Sequence, residues 1–354
     1  MTPMNRLLLT AFALVLATAT LLPTAPTTAR PRLSGHYDAV LAETDESLYG
    51  VRMFKSKRVV VCGSDGMIVR SLDAGKLWDP MQYREGLSFR VMHWVDERTG
   101  FFSGRTRISN VLLKTTDGGD TFREIKTDIT MPIRGFGFLN SRQGFMVAGS
   151  TRERDGAWRV TEDGGSTWKA LPSVAYRITG RQLNAITVVG DKTLVVVGSH
   201  VEVALVGDAA RSLLYQKRHG GILRSDDAGE TWEVQNAGNP PGTSLWGVDF
   251  SDAKNGFVVG DGGFAARTAD GGRTWTKLDT GTTRRLRAVA AVDAETAYIV
   301  GDGGTALGTN DGGKTVVTMK TPTKKSLRAV SFLNERTGIA VGQTGIVLRF
   351  KRTY

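Results

Sequence analysis

The amino-acid sequence predicts an all-β fold: a seven-bladed β-propeller of four-stranded antiparallel blades, its ring closed by an N-terminal strand. Three observations predict it. One short turn motif recurs six times at a near-constant interval. Each interval holds four short strand-like runs separated by turn residues. The last unit stops one strand early, and a run with the pattern of the missing strand lies close to the N-terminus.

The motif is [Ser/Thr]-x-Asp-[Gly/Ala]-Gly-x-[Thr/Leu]-[Trp/Phe/Val], centred on Asp73, Asp117, Asp163, Asp227, Asp270 and Asp311. Successive aspartates stand 44, 46, 64, 43 and 41 residues apart. An Asp carboxylate accepts hydrogen bonds from backbone N–H groups of its own turn, and a glycine two residues later tolerates positive φ. The closing aromatic residue starts the next strand and offers a large apolar face for packing between blades. The motif therefore reads as a hairpin turn with a structural aspartate. It resembles the Asp box of BNR-repeat propellers.

The fifth unit shows the four strands clearly: Leu245 to Phe250, Gly256 to Gly260, Phe264 to Thr268 and Thr274 to Leu278. Short β-rich runs at this period argue for propeller blades. First strands begin near Leu48, Phe89, Ile133, Leu183, Leu245, Leu286 and Leu327. The seventh unit lacks a fourth strand, and Tyr37-Asp-Ala-Val-Leu41 resembles the fourth-strand pattern Trp168-Lys-Ala-Leu171. That segment is expected to complete the last blade, because closure removes exposed sheet edges. The long interval carries a surplus at Ser199 to Gly220, placed between strands two and three of blade four. It reads either as a binding loop or as an extended hairpin.

Composition agrees with this plan. Glycine counts 43 of 354 residues, about 12% against a usual ~7%, which suits many tight turns. Lys plus Arg total 46 against 35 acidic residues, a formal charge of +11. The basic residues are dispersed, and no zinc-finger, helix-turn-helix or RNA-binding signature accompanies them, so nucleic acid is not the expected partner. Cys62 is the single cysteine, which excludes an internal disulfide and a cysteine zinc site. His36, His93, His200 and His219 show no metal-ligand spacing. No cofactor and no metal are expected.

Residues 1–30 read as a signal peptide and disordered leader, and 36–354 as one propeller domain. Arg6 precedes an apolar run from Leu7 to Leu16 that is short for a bilayer span. Ala17-Thr18-Ala19 fits a small-x-small cleavage site, and cleavage near Ala29 is the alternative. A Sec-type export to the periplasm or the medium is expected, with the chain a monomer.

Leu-Arg-Ala-Val, then Gly-Phe-x-Val-Gly, then Thr-x-Asp-Gly-Gly-x-Thr-Trp is more specific than the box alone. This succession resembles the photosystem II stability/assembly factor family, exported seven-bladed propellers, over roughly residues 36–354. The resemblance implies a non-enzymatic protein-binding scaffold or assembly chaperone for a membrane-protein complex, without a small-molecule substrate. The competing class is a carbohydrate-active enzyme or lectin of the sialidase or xyloglucanase type. The sialidase Arg-Ile-Pro segment is missing, with only a faint echo at Ile133-Arg134, and xyloglucanase-like hydrolases pair two propellers where this chain holds one. Asp249, Asp252 and Asp293 are the carboxylates near strand ends that two-carboxylate hydrolysis would need.

Aligned first strands reveal a variable position after the leading apolar residue: Tyr49, Arg90, Arg134, Asn184, Trp246, Arg287 and Arg328. The next position is small in most blades (Gly50, Gly135, Ala185, Gly247, Ala288 and Ala329), with Val91 the exception. First strands are innermost, so the variable residues are expected at one mouth of the channel. Arginine forks suit carboxylates, and Arg, Tyr and Trp recur at interface hot spots. Together with Arg284 and Arg285 they form the candidate site for an acidic protein segment. The same family carries an arginine-rich patch, which the resemblance extends to these positions.

Overall fold

Seven four-stranded antiparallel sheets form the ring. The computed structural model describes residues 33, 35–41, 45–82, 84–106, 109–149, 157–170, 176–205, 221–240 and 242–352. Residues 1–30, expected from the sequence to be a signal peptide and leader, lie outside the described residues. All the blades belong to the compact unit Arg32–Tyr354. Their innermost strands are Leu48–Met53, Ser88–Trp94, Ile133–Phe138, Tyr176–Val189, Leu245–Phe250, Leu286–Ala291 and Leu327–Asn334.

Six blades follow chain order from inside to outside. The seventh takes its outer strand from the N-terminus: Gly35–Leu41 pairs antiparallel with Val347–Arg352, with Tyr37 opposite Phe350 and Asp38 opposite Arg349. Tyr37 N–H also donates to the Lys320 carbonyl at 3.0 Å, which ties the closing strand to blade six. Leu33 reaches the same interface, over Gly308, where a Cβ would stand 2.6 Å from the Leu33 Cδ2. A side chain at this position would displace the Leu33 and Met319 side chains from the interface.

The core consists of seven apolar clusters, one in each interface between neighbouring blades. Second strands such as Val59–Gly63, Gly144–Ala148, Gly256–Gly260 and Ala297–Gly301 are buried at every residue. They are covered on both faces, which explains their uninterrupted apolar sequence. Burial falls toward the rim, where the two-residue outer strands Lys169–Ala170 and Thr276–Lys277 are exposed. The aromatic residue of a box packs on the blade before it: Trp168 meets Phe101 with ring centroids 6.2 Å apart, and Trp232 meets Trp158 at 4.8 Å.

Each box is a closed hydrogen-bonded turn. In blade one the Ser71 hydroxyl donates to Asp73 Oδ1 at 2.8 Å, and the amides of Lys76 and Leu77 donate to the same oxygen at 2.9 and 3.0 Å. Blade five repeats this, with Arg273 and Thr274 amides on Asp270 Oδ1 at 3.0 and 2.9 Å. The Thr121 hydroxyl and amide hold the Asp117 carboxyl well below the usual carboxylate range. Against the opposing effect of burial, the hydroxyls and amides of the Asp270 turn bring that carboxyl down to about 2. These lowered values stabilise the fold above the ordinary Asp pKa, and the contribution is lost as acid protonates the folded carboxylates.

The boxes also hold the ring together. The residue after each aspartate donates its amide to the hairpin between the first two strands of its own blade, as Gly118 does to Arg98 O at 2.8 Å and Ala228 to Lys192 O at 2.9 Å. In four of the six box-bearing blades a cation one position before the box Ser/Thr reaches across to the next blade. Lys114 Nζ donates to Gly164 O at 2.7 Å, and Arg224 Nε to Gly271 O at 2.9 Å. Arg70 pairs with Asp120, and Arg267 bonds Ala294 O at 2.9 Å. Blade three carries Val160 at this register and blade six Gly308, and blade seven, the neighbour of blade six, has no box to receive a cation.

The described part of the insertion takes the extended-hairpin form, and its other arm, Tyr176 to Gln182, lies ahead of the expected first-strand start at Leu183. Ser199 to Leu205 prolong the second strand of blade four and pair with Tyr176 to Gln182, beyond the Leu183–Gly198 pair. It begins as an extension of the first hairpin rather than as a loop between strands two and three. Residues 206–220 lie outside the described residues.

Deleting residues 35–41 is expected to lower the midpoint of urea unfolding of the whole domain. Tyr37→Ala alone, removing a ring that is 2% exposed, should cost about 3 kcal/mol. An unchanged midpoint for the deletion would overturn the closure. Ala74 and Ala228 occupy the left-handed region at φ 62° and 61°, where other boxes carry glycine. Each Ala→Gly change there should stabilise by about 0.5–1 kcal/mol, the relief of left-handed strain exceeding the entropy cost of glycine. Thermal unfolding of the double variant checks the sign.

Candidate protein-binding face

Every innermost strand carries a β-bulge immediately after the leading apolar residue. The pairing register skips Tyr49, Arg90, Arg134, Asn184, Trp246, Arg287 and Arg328, one in each blade. A bulge leaves the extra residue unpaired and re-aims its side chain. The aligned positions are thus a structural class, gathered at the end of the blades opposite the box turns. The small residue that follows lies against the next blade: a Cβ on Gly50 would stand 3.4 Å from Met92 Cβ, and one on Gly135 would stand 2.9 Å from Ile186 Cγ2.

The seven residues do not form an even ring. Tyr49 is flanked by two guanidinium groups, Arg90 and Arg328, each 4.9 Å from its ring centroid. The positive ends of both groups meet the negative faces of the phenol ring. Arg134 continues the arc in blade three, with Nε donating to Gly149 O at 3.2 Å. Burial lowers the proton affinity of its guanidinium, and the charges of Arg90 and Arg105 add to this. Burial likewise lowers Arg328, and Arg287 and Arg90 contribute. Among the described residues no carboxylate pairs with Arg90, Arg134 or Arg328.

The other side of the mouth is neutralised internally. Arg287 grips Asp302 through two bonds, Nη2 donating to Oδ2 at 3.2 Å and Nε to Oδ1. Arg285 pairs with Asp261 at 2.5 Å and lies 4.8 Å from the centroid of the Trp246 ring, whose Nε1 donates to the same Asp261 at 2.8 Å. Arg284 is exposed and donates from Nη1 to Gly303 O at 2.6 Å. Asn184 is 8% exposed, and its amide donates to Leu245 O at 2.7 Å. Its amide nitrogen is committed to the blade wall.

One further residue belongs to this face. Arg105 follows Gly104 at the end of a second strand and opens with Arg90, Arg134, Ser88 and Pro132 onto a cavity of about 380 Å³. Comparison of first strands alone missed it. The signal lay in the residue after the second-strand glycine that pairs with the leading residue of the first strand, which is Asp261 and Asp302 in blades five and six.

The carboxylates near strand ends stand apart in role. Asp252 accepts amides of Lys254 and Asn255 at 2.7 and 2.8 Å, and Asp293 accepts those of Glu295 and Thr296 at 2.8 Å each, so both brace hairpin turns. Asp249, half-buried on an inner strand, accepts the Ala291 amide at 2.9 Å. Burial pushes its carboxyl up to about 6, against hydrogen bonding and the charge of Arg52. Burial pushes the Cys62 thiol up to about 12. Among the described residues no group of three or more His, Cys, Asp or Glu could hold a metal ion, and no helix is long and apolar enough to cross a membrane.

Residues 239–315 match the model of a family described as photosynthesis system II assembly factor YCF48. That stretch includes Trp246, Arg284, Arg285 and Arg287. No curated protein matches the chain in sequence. Its fold is similar to that of YCF48 bound to D1 peptide, with a TM-score of 0.64 and 19% identity over 89% of this chain and 96% of that one. It is similar to YCF48 from Cyanidioschyzon merolae, with a TM-score of 0.63 and 18% identity over 89% and 98%. The GH74 enzyme of Niastella koreensis gives a TM-score of 0.64 at 15% identity, over 88% of this chain and 53% of the enzyme. In repeat signature and in fold, the chain resembles the photosystem II assembly factors.

Asn184→Ala should destabilise by about 1–2 kcal/mol, because the Leu245 carbonyl loses a buried partner. Chemical unfolding checks this, and an unaltered midpoint would remove Asn184 from the wall.

Proposed function

We propose that the chain is a non-enzymatic, exported propeller that binds an acidic segment of a protein partner at its arginine-rich mouth, as a scaffold or assembly factor for a membrane-protein complex. The observation that carries this reading is the arc Arg134, Arg90, Tyr49 and Arg328, in which three guanidinium groups have no carboxylate partner among the described residues. Guanidinium forks bind carboxylates bidentately, and an aromatic residue held between them adds a rigid apolar contact. A structurally similar propeller has been observed bound to a D1 peptide, and the family match over residues 239–315 points the same way. The apolar run Leu7 to Leu16 supports export.

The likeness to a GH74 enzyme favours a second reading, carbohydrate binding or hydrolysis. The roles of Asp252 and Asp293 in bracing turns speak against their serving as an acid and base pair. Arg90→Glu, Arg134→Glu and Arg328→Glu combined should leave the melting transition within a few degrees of the parent. The triple variant should lose at least tenfold in capture of detergent-solubilised membrane proteins from the native host. Equal capture by both proteins would overturn the assignment of the mouth. Turnover of xyloglucan or of sialosides by the parent protein would transfer the function to the second reading.

A further inference from the structure

The two halves of the mouth differ at one register. The residue after the second-strand glycine that pairs with the leading residue of the first strand is Ser64, Arg105, Ser199, Asp261, Asp302 or Gln343 in the blades where it is described. In blades five and six the fold brings this side chain to the bulged residue of its own blade: Asp261 accepts from Trp246, and Asp302 from Arg287. The repeat therefore builds a short bridge between these two positions. Blade two places Arg105 there, facing Arg90 where a carboxylate would neutralise it. Arg134 of blade three closes the group from the other side.

The space between them is shaped for a small group. A cavity of about 120 Å³ has Arg90, Arg105, Arg134, Ser88 and Ser103 in its lining, beside apolar residues such as Val91 and Ile133. It opens into the wider space of about 380 Å³. Its polar lining brings together guanidinium groups and hydroxyls, while the Asn184 amide nitrogen is already bonded to Leu245 O. Among the described residues none of the three arginines has an ion-pair partner. Like charges brought this close repel one another, and a bound anion relieves that repulsion.

We propose that Arg90, Arg105 and Arg134 form a discrete oxyanion-binding pocket between blades two and three, which takes one carboxylate or phosphate group carried by the partner. This rests on the protein-binding reading for the identity of the partner, but the pocket itself does not depend on it. Arg287 and Arg285 are already satisfied by Asp302 and Asp261, so they shape the rim and the anchoring group enters elsewhere. The mouth then gives a bound segment a direction, with its anionic group at blades two and three and its apolar contact on Tyr49.

The test uses the full exported chain and simple anions. Melting temperature is followed against potassium acetate and potassium phosphate, with potassium chloride at matched ionic strength as reference. The parent protein should show a saturable rise beyond chloride. Arg105→Asp installs the residue of blades five and six and should fold at least as stably without anion. It should show at least a tenfold weaker apparent affinity. Arg105→Ser, the residue of blades one and four, supplies the same comparison if the aspartate variant fails to fold. Arg142→Ala, an exposed arginine near the box turns, should respond like the parent. A response to acetate assigns an acidic side chain or chain terminus, and a stronger response to phosphate assigns a phosphorylated one. A parent response equal to that in chloride, or one unchanged in both Arg105 variants, would overturn the pocket. Loss of anion binding by Arg105 variants with full partner capture by the triple glutamate variant would sink the protein-binding reading alone. The reverse pattern would sink the pocket alone.

Discussion

No blade of this ring owns a core. Each sheet is too thin to bury apolar surface by itself, and the clusters form only between neighbours. That constraint governs the rest of the molecule. It requires second strands apolar on both faces, small residues where inner strands crowd together, and a ring without a loose end. The last requirement falls on Gly35–Leu41, which lies far from Val347–Arg352 in sequence and beside it in space.

The box turns add directional bonds to a non-directional core. A serine or threonine, an aspartate and the turn amides close a compact loop, and one more amide ties that loop to the first hairpin of the blade. Lys114 and Arg224 then reach from one blade to the glycine carbonyl of the next. Much of the basic character of the chain is used in this structural way. A formal charge of +11 is therefore a poor guide to a binding site until these structural cations are set aside. What remains concentrated without a carboxylate partner is the arc from Arg134 through Arg90 to Arg328.

The bulges explain how a uniform scaffold supports a varied surface. Each inner strand is held by its neighbours on both sides of the bulge, so the skipped residue changes with little cost to the ladder. Arginine, tyrosine, tryptophan and asparagine occupy equivalent places for this reason. Asn184 shows the limit of the equivalence. Its short amide turns into the wall and bonds Leu245 O, whereas the longer arginines extend into the mouth.

The sequence by itself determined the number of blades, the closing strand, the turn chemistry of the six boxes and the line of residues at the mouth. All of these depend on local patterns repeated at a fixed period, which one chain displays without reference to anything distant. Only the tertiary structure decided which members of that line carry uncompensated charge. Pairing of Arg287 with Asp302 and of Arg285 with Asp261 depends on where a neighbouring strand ends. The meeting of Arg90, Arg105 and Arg134 depends on two blades coming together. The choice between a loop and a prolonged hairpin in blade four was likewise left to the structure, because strand register over Tyr176 to Leu205 follows from pairing across the sheet and not from local pattern.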